Sequence, residues 1–371
     1  MIRILRLVAL LCVAGMIAVA CSGGSSTEPT EADVASVQAT TTVEVDPLPA
    51  ATSSTTTTST TTTAAPEPIV ESTTTTEPLG PVAQLTGLPV EAELTHPAVV
   101  VKIDNHQNAR PQWGLNAADI VYEEVVEGRI TRFAAVFHST NASPVGPVRS
   151  ARTSDFDLLN DKNTPLFANS GGNQTTLQLL RGVDTVNANV NALPSLYYRE
   201  GSRSAPHNLM TDTADLVEAR GDQGGTPPAM FTYRREGDPL PSNAVPVTGV
   251  DIDYGARQIS YDWDAELGGW RRTQNGSAHV DADGVQVAPT NVVVMVIDYG
   301  RSVADPTSPE AITVGSGTAW FLVDGQLIEG TWSRGSASEV ATYATASGEP
   351  MVLDPGNTWV ALPRAGQTVS R

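Results

Sequence analysis

Hydrophobic and polar positions alternate with a strand-like rhythm through much of the chain from residue 82 onward. Ala98-Val99-Val100-Val101-Lys102-Ile103 follows His96-Pro97 and ends at Asp104-Asn105-His106. This β-branched run with a polar stop predicts a buried strand. Ala117 to Glu124 and Ile130 to Phe137 flank Gly128, and the second run reads as another buried strand. A helix is predicted from about Ala151, with Ser150 as its N-cap and Phe156, Leu158 and Leu159 on its apolar face. Leu166-Phe167-Ala168 reads as a short strand. Asn173 can cap a helix ending at Gly182, and Thr211 or Asp212 one ending at Gly221.

The pattern changes after Gly224-Gly225-Thr226-Pro227-Pro228. Ile259 to Trp263 alternates, Val292 to Ile297 is continuously apolar, and Thr358 to Leu362 closes the series. Ala319 to Val323 meets Gln326 to Ile328 across Asp324-Gly325, a strong hairpin signal. We expect a mixed α+β (α/β) chain. Residues 81–226 mix strands and helices, and residues 227–371 form a β-rich second domain or a second lobe of one unit.

The first eighty residues carry a different pattern. Arg3 and Arg6 precede an apolar run from Leu7 to Ala20, the charged and apolar regions of a secretory signal over residues 1–20. About 14 apolar residues fall short of the ~20 that a membrane span needs. Ala18-Val19-Ala20-Cys21 resembles a bacterial lipobox, in which Cys21 is lipidated and becomes the new N-terminus. Residues 21–80 are then Thr, Ser, Pro, Ala and Glu, too poor in large apolar side chains to offset the entropy of ordering. They are expected to form a disordered tether reaching at most about 200 Å.

Composition narrows the chemistry. The chain has 41 acidic and 22 basic residues, a net charge of -19. Removing the eight acids and two arginines of the first eighty residues leaves 33 against 20, or -13. Nucleic acid is therefore an unsuitable partner. The two cysteines are Cys12, which leaves with the signal, and Cys21. No thiol remains for a sortase-like or L,D-transpeptidase-like nucleophile. Neither Lys102 nor Lys162 follows a serine by three, and no His-Glu-x-x-His, Gly-x-Ser-x-Gly or phosphate-binding glycine loop occurs. His106, His138 and His207 lack ligand spacing, and Asp281-Ala282-Asp283-Gly284 reads as a turn. No metal or cofactor is expected. Trp263, Trp270, Trp320, Trp332 and Trp359 read as core or as a carbohydrate platform.

What remains is a polar constellation. Asp104, Asn105 and His106 follow a buried-type strand, and Arg110 comes next. Glu123, Glu124 and Glu127 precede Arg132, and Arg149 and Arg152 stand at the predicted helix start, where cations oppose the helix dipole. Arg203, His207 and Asn208 form a third stretch. Three readings stay open: an internal arginine–carboxylate network through Asp104, Glu123 or Glu127; an anion-binding surface of Arg110, Arg132, Arg149, Arg152 and Arg203; and acid–base catalysis by His207 or His106 with an aspartate.

The segments Val101-Lys102-Ile103-Asp104-Asn105, Ala109-Arg110-Pro111-Gln112, Ala118 to Glu123, Ile130-Thr131-Arg132-Phe133, Gly146 to Arg152 and Ala205-Pro206-His207-Asn208-Leu209 together resemble the YerB-like lipoproteins. This is a bacterial family whose two regions are classed as domains of unknown function. The resemblance runs from about Leu85 to Pro363 and is carried in the second half by Asn291 to Val294, Gly315-Ser316-Gly317, Thr331-Trp332 and Gly356 to Trp359. It implies a signal-bearing lipoprotein with an α/β architecture, layered sheets with helices on one side in the N-terminal part, and brings no reaction with it. Trp113, beside Gly114-Leu115, departs from the small residue expected there. The expected function is a lipid-anchored envelope protein on the outer face of the cytoplasmic membrane, extending into the wall. It would bind a cell-wall polymer or a wall-synthesis protein without catalysis; the alternative is a hydrolase or transferase using Asp104 and His207.

Overall fold

Three strands of the first half form a hydrogen-bonded group: β1 (Val99–Asp104), β2 (Ile120–Val125) and β3 (Thr131–Phe137). A computed structural model describes residues 80–235 and 237–371, and the signal, Cys21 and nearly all of the tether lie outside them. β3 runs antiparallel to both β1 and β2, so β1 and β2 point the same way. β4 (Leu166–Ala168) and β5 (Val186–Asn187) continue parallel to β1. On the other side β2 pairs in parallel with Thr358–Ala361, which pairs in parallel with Asn291–Met295. The sheet, eleven-stranded among the described residues, thus continues across the Gly224–Pro228 breaker. Seven of its strands send their carboxyl ends to one edge, the edge where open α/β sheets display functional side chains.

The sheet is buried on both faces because its strands are apolar on both. Val99, Val101 and Ile103 enter one core, and Ala98, Val100 and Phe167 enter another. A second, five-stranded sheet built from Gly249–Asp253, Gln258–Asp264, Gly269–Gln274, Ser277–Ala278 and Thr368–Ser370 packs its Val250, Ile252, Tyr261 and Trp270 into the first core. The fold is the mixed, β-rich one expected. The finer placement of helices differs in one respect. α1 (Ser154–Asn160) and α2 (Gln174–Leu180) lie on the face of Val100 and Phe167, whereas α3 (Thr213–Arg220) puts Leu216 into the opposite core.

Local signals hold at several points. Asn173 Oδ1 accepts from Thr176 N at 2.7 Å and caps α2. Asp324 and Gly325 both adopt positive φ, 48° and 72°, the twist that a two-residue hairpin turn requires. The expected helix start at Ala151 is corrected: α1 begins at Ser154. Arg149 N donates to Lys102 O and Ala151 N to Gly171 O, so this backbone is drawn alongside β1 instead of coiling. Arg149 and Arg152 therefore do not sit in the first turn, which Asp155 and Asp157 occupy with the favourable sign. The tryptophan platform is also corrected. Trp270, Trp332 and Trp359 are buried, and Trp332 Nε1 donates to Val296 O.

Candidate functional site

β1 ends on two residues that enter different surroundings. Successive positions of an extended strand face opposite sides, so Asp104 and Asn105 diverge. Asp104 is buried, and each of its carboxylate oxygens has a partner. Oδ1 accepts from His106 N at 3.0 Å, and Oδ2 accepts from His207 Nδ1 at 2.6 Å. Arg149 Nε stands 3.0 Å from Oδ2 as an ion pair without hydrogen-bond alignment. The His106 and His207 rings stack at 4.4 Å. His106 Nδ1 accepts from Asn108 N at 3.2 Å and so caps the short turn Gln107–Ala109. Burial, and then His207, Arg257 and Arg149, push the His106 pKa down against the opposing pull of Asp104, so this ring is neutral at pH 7. His207 is partly exposed, and its Nε2 makes no hydrogen bond among the described residues.

Asn208 fixes the loop that delivers His207. Its Nδ2 donates to Glu200 O at 2.9 Å and Arg203 O at 2.8 Å, and its Oδ1 accepts from Arg199 Nη1 at 2.8 Å. Arg203 is committed to structure as well. It donates to Ala109 O and Pro111 O, each at 2.7 Å, and stacks over Trp113 at 4.3 Å. Arg152 grips Glu127 with two hydrogen bonds, Nε to Oε1 at 2.6 Å and Nη2 to Oε2 at 3.0 Å. Burial alone would raise Glu127, but these bonds and one from the Ser308 hydroxyl overcome it and hold its pKa at about 2.

Asn105 belongs to a closed network between the two sheets. It exchanges hydrogen bonds with Gln274 at 3.0 and 3.1 Å, donates to Thr131 Oγ1 at 2.8 Å, and accepts from Gln112 at 3.2 Å. Thr131 donates to Glu123 Oε1 at 2.8 Å, and Arg272 Nη2 reaches both Glu123 oxygens at 2.8 and 2.9 Å. Trp359 Nε1 donates to Glu123 Oε2 at 3.1 Å. His279 joins Arg272 to Gln112. Glu123 and Asn105 are therefore structural residues of the sheet-to-sheet contact. The adjacent Glu124 shares Lys102 with Asp155, all three buried.

A remainder of positive charge lies at the end of β1. Arg132 faces Asp104 across the ladder yet donates only to Ser150 O, at 3.2 Å. Arg257 reaches only the carbonyls of Ala256 and Asn105, and Arg110 makes no side-chain hydrogen bond among the described residues. The Nε of each is buried without a partner. Burial, then Arg152 and Arg149, push Arg132 down to about 10 against the pull of Asp104 and Glu127. Arg110 is lowered by burial and then by Arg257 and Arg272. Arg132 thus feels the guanidiniums of Arg149 and Arg152, and Arg110 those of Arg257 and Arg272. An arrangement of this kind is suited to hold an anion by charge-assisted, forked hydrogen bonds.

Of the five arginines singled out from sequence, Arg132 and Arg149 flank Asp104, Arg110 follows the turn after β1 without a side-chain partner among the described residues, and Arg152 and Arg203 are engaged elsewhere. The zinc-by-count trio separates, because His138 packs against His96, the rings 4.7 Å apart and tilted by 58°. Among the described residues no three His, Cys, Asp or Glu side chains cluster as metal ligands. Sequence reasoning missed Arg257 and Arg272. The available signal was register: Trp270, Arg272 and Gln274 alternate inward in one strand, so a charged residue occupies a core position.

Family models titled protein of unknown function (DUF3048), N-terminal and C-terminal domains, match residues 85–226 and 250–360. A relative named "Putative lipoprotein YerB" from Bacillus subtilis (strain 168) is 30% identical over 293 residues, covering 76% of this chain and 85% of the relative. The crystal structure of YerB from Bacillus subtilis superposes with a TM-score of 0.68 at 26% identity, covering 78% of this chain and 99% of that one. Two matched domains and a shared fold lead to one assignment: this chain belongs to the DUF3048 family of YerB-like proteins.

Proposed function

We propose that the protein is a lipid-anchored envelope protein that binds a carboxylate- or phosphate-bearing wall component, or a wall-synthesis protein carrying such groups, through Arg110, Arg132, Arg149 and Arg257. The observation that carries this reading is the set of three partly or fully buried guanidiniums, Arg110, Arg132 and Arg257, with no carboxylate partner among the described residues. Buried cations are ordinarily paired, and a ligand anion would complete them. Cys21, the lipobox-like segment before it and the lipoprotein name of the relative support the anchor.

Arg132→Gln with Arg257→Gln is the decisive variant, because neither residue ties a carboxylate that would be orphaned. Sedimentation with purified cell walls should fall at least tenfold, the loss expected for one or two charge-assisted bonds of about 1.5–3 kcal/mol each. Thermal stability should hold or rise, since unpaired buried charge is removed. Wall binding equal to wild type would overturn the arginine site.

A second reading is favoured by the 2.6 Å Asp104–His207 contact with the ring partly open to solvent. An aspartate that orients a histidine through Nδ1 leaves Nε2 as a general base, the acid–base pair of a hydrolase or transferase acting on a wall polymer. Release of soluble fragments from walls by wild type but not by His207→Asn would establish it. No release by wild type would leave the pair a positioning device for the loop 199–208.

A further inference from the structure

A second electropositive site lies farther along the same sheet edge, and none of its arginines belongs to the cluster above. A cleft of about 680 Å³ opens beyond the carboxyl ends of β2 and Thr358–Ala361. Three arginines from three separate segments line it: Arg129 after β2, Arg301 at the end of Asp298–Arg301, and Arg364 after Thr358–Ala361. Among the described residues none of the three forms an ion pair. Arg364 lies flat on the Tyr299 ring at 4.3 Å, which directs a planar donor edge without neutralising it. The one carboxylate in the lining, Glu127, is consumed by Arg152 and Ser308. This concentration of unmatched positive charge sits on a body whose net charge is -13.

A tight turn presents Arg129 to the cleft. Gly128 and Arg129 adopt positive φ in succession, 72° and 56°. Glycine takes that conformation freely, whereas arginine is strained there. The pair closes the tight turn between antiparallel β2 and β3, as Asp324-Gly325 does in its hairpin, and so fixes Arg129 at the cleft. Gly255 faces Arg129, and a Cβ there would lie 3.4 Å from the arginine Cδ, in ordinary contact.

We propose that this cleft binds a polyanionic chain bearing phosphodiester or carboxylate groups along a polar backbone. Its volume exceeds that of a single phosphate and matches a small-molecule site holding several units. The lining of Thr307, Gln367 and exposed backbone suits hydroxyls, and Arg364 already covers the Tyr299 face, so a stacked base or lipid tail has no seat. The inference uses different residues from the Arg132 and Arg257 cluster and can fail without it.

The test is calorimetric titration of the full chain with two probes of about ten repeats, poly(glycerol phosphate) and oligogalacturonate. Binding by the first alone identifies a phosphodiester ligand, by the second alone a carboxylate ligand, and by both a shared anion site. Arg301→Gln with Arg364→Gln should weaken the bound probe at least tenfold, whereas Arg132→Gln with Arg257→Gln should retain cleft binding. Arg129→Gly should bind severalfold more weakly while melting at a higher temperature, since strain is relieved as the ligand contact is lost. Absence of binding by wild type, or cleft variants that titrate like wild type, would overturn the proposal. A probe lost only in the Arg132 and Arg257 variant would assign the binding to the cluster and reject the cleft.

Discussion

Two polar regions meet at the end of β1, and they differ in how completely their charges are matched. Around Asn105 the charges are paired: Glu123 accepts from Arg272, Thr131 and Trp359, and Gln112, Gln274 and His279 join them, with the Arg272 Nε left unbonded. Around Asp104 the network is open. One carboxylate serves His207, Arg149 and the backbone of His106, while Arg110, Arg132 and Arg257 stand without an acid. Both regions are rich in buried charge, so burial of charge does not separate scaffold from site. The state of completion does, because a closed network gains nothing from a ligand and an open one does.

The largest effect should come from opening the closed region. Arg272→Met removes one partner of a fully buried bidentate pair and leaves Glu123 ionised in the core. A loss of about 3–5 kcal/mol in urea denaturation is expected. Adding Glu123→Met removes the orphaned charge, and the double variant should recover much of that loss. A single variant within 1 kcal/mol of wild type would break the contrast between the two regions.

A smaller, pH-dependent effect comes from the third buried cluster. Lys102 stands between two carboxylates and neutralises one; burial pushes the other, Glu124, up to about 7. Between the ordinary glutamate value near 4.5 and about 7, the folded chain keeps a proton that the unfolded chain has released. Stability therefore falls as pH rises through that window, by an amount on the order of 2 kcal/mol. Glu124→Gln should remove this slope. Urea midpoints at pH 5 and pH 7 that keep the wild-type spacing in the variant would refute the assignment.

Much of this contrast was legible along the chain, and the part that was not has a physical reason. The β-branched run before Asp104, the Asp324-Gly325 turn and the Asn173 cap are local signals, each settled within a few residues. Asp104, Arg149 and His207 come together as their polar segments suggested, although 103 residues separate Asp104 from His207. The start of α1 was misread because the N–H groups of Arg149 and Ala151 bond to β1 and Gly171, partners that no local pattern reveals. Arg257 and Arg272 were missed for a related reason. Their roles exist only once the second sheet packs on the first, bringing Arg272 to Glu123 from 149 residues away.

The smallest expected effect concerns how the open region is held. Asn208 makes three side-chain hydrogen bonds that close the loop over residues 200–207 and set the ring of His207 against Asp104. Asn208→Ala deletes them at the rim of the fold, so global stability should drop by only about 1 kcal/mol. Local opening should respond much more, with amide exchange in residues 200–207 rising at least tenfold while β1 and β3 keep their protection. If the loop is held only by Arg203 on Trp113 and the Ala109 and Pro111 carbonyls, exchange will not change, and Asn208 will prove to be a passenger. If exchange rises and wall binding falls with it, the open region depends on a preorganised His207. That outcome would divide the loop from the network beside it, where the charge of Glu123 is already matched by Arg272 in the core.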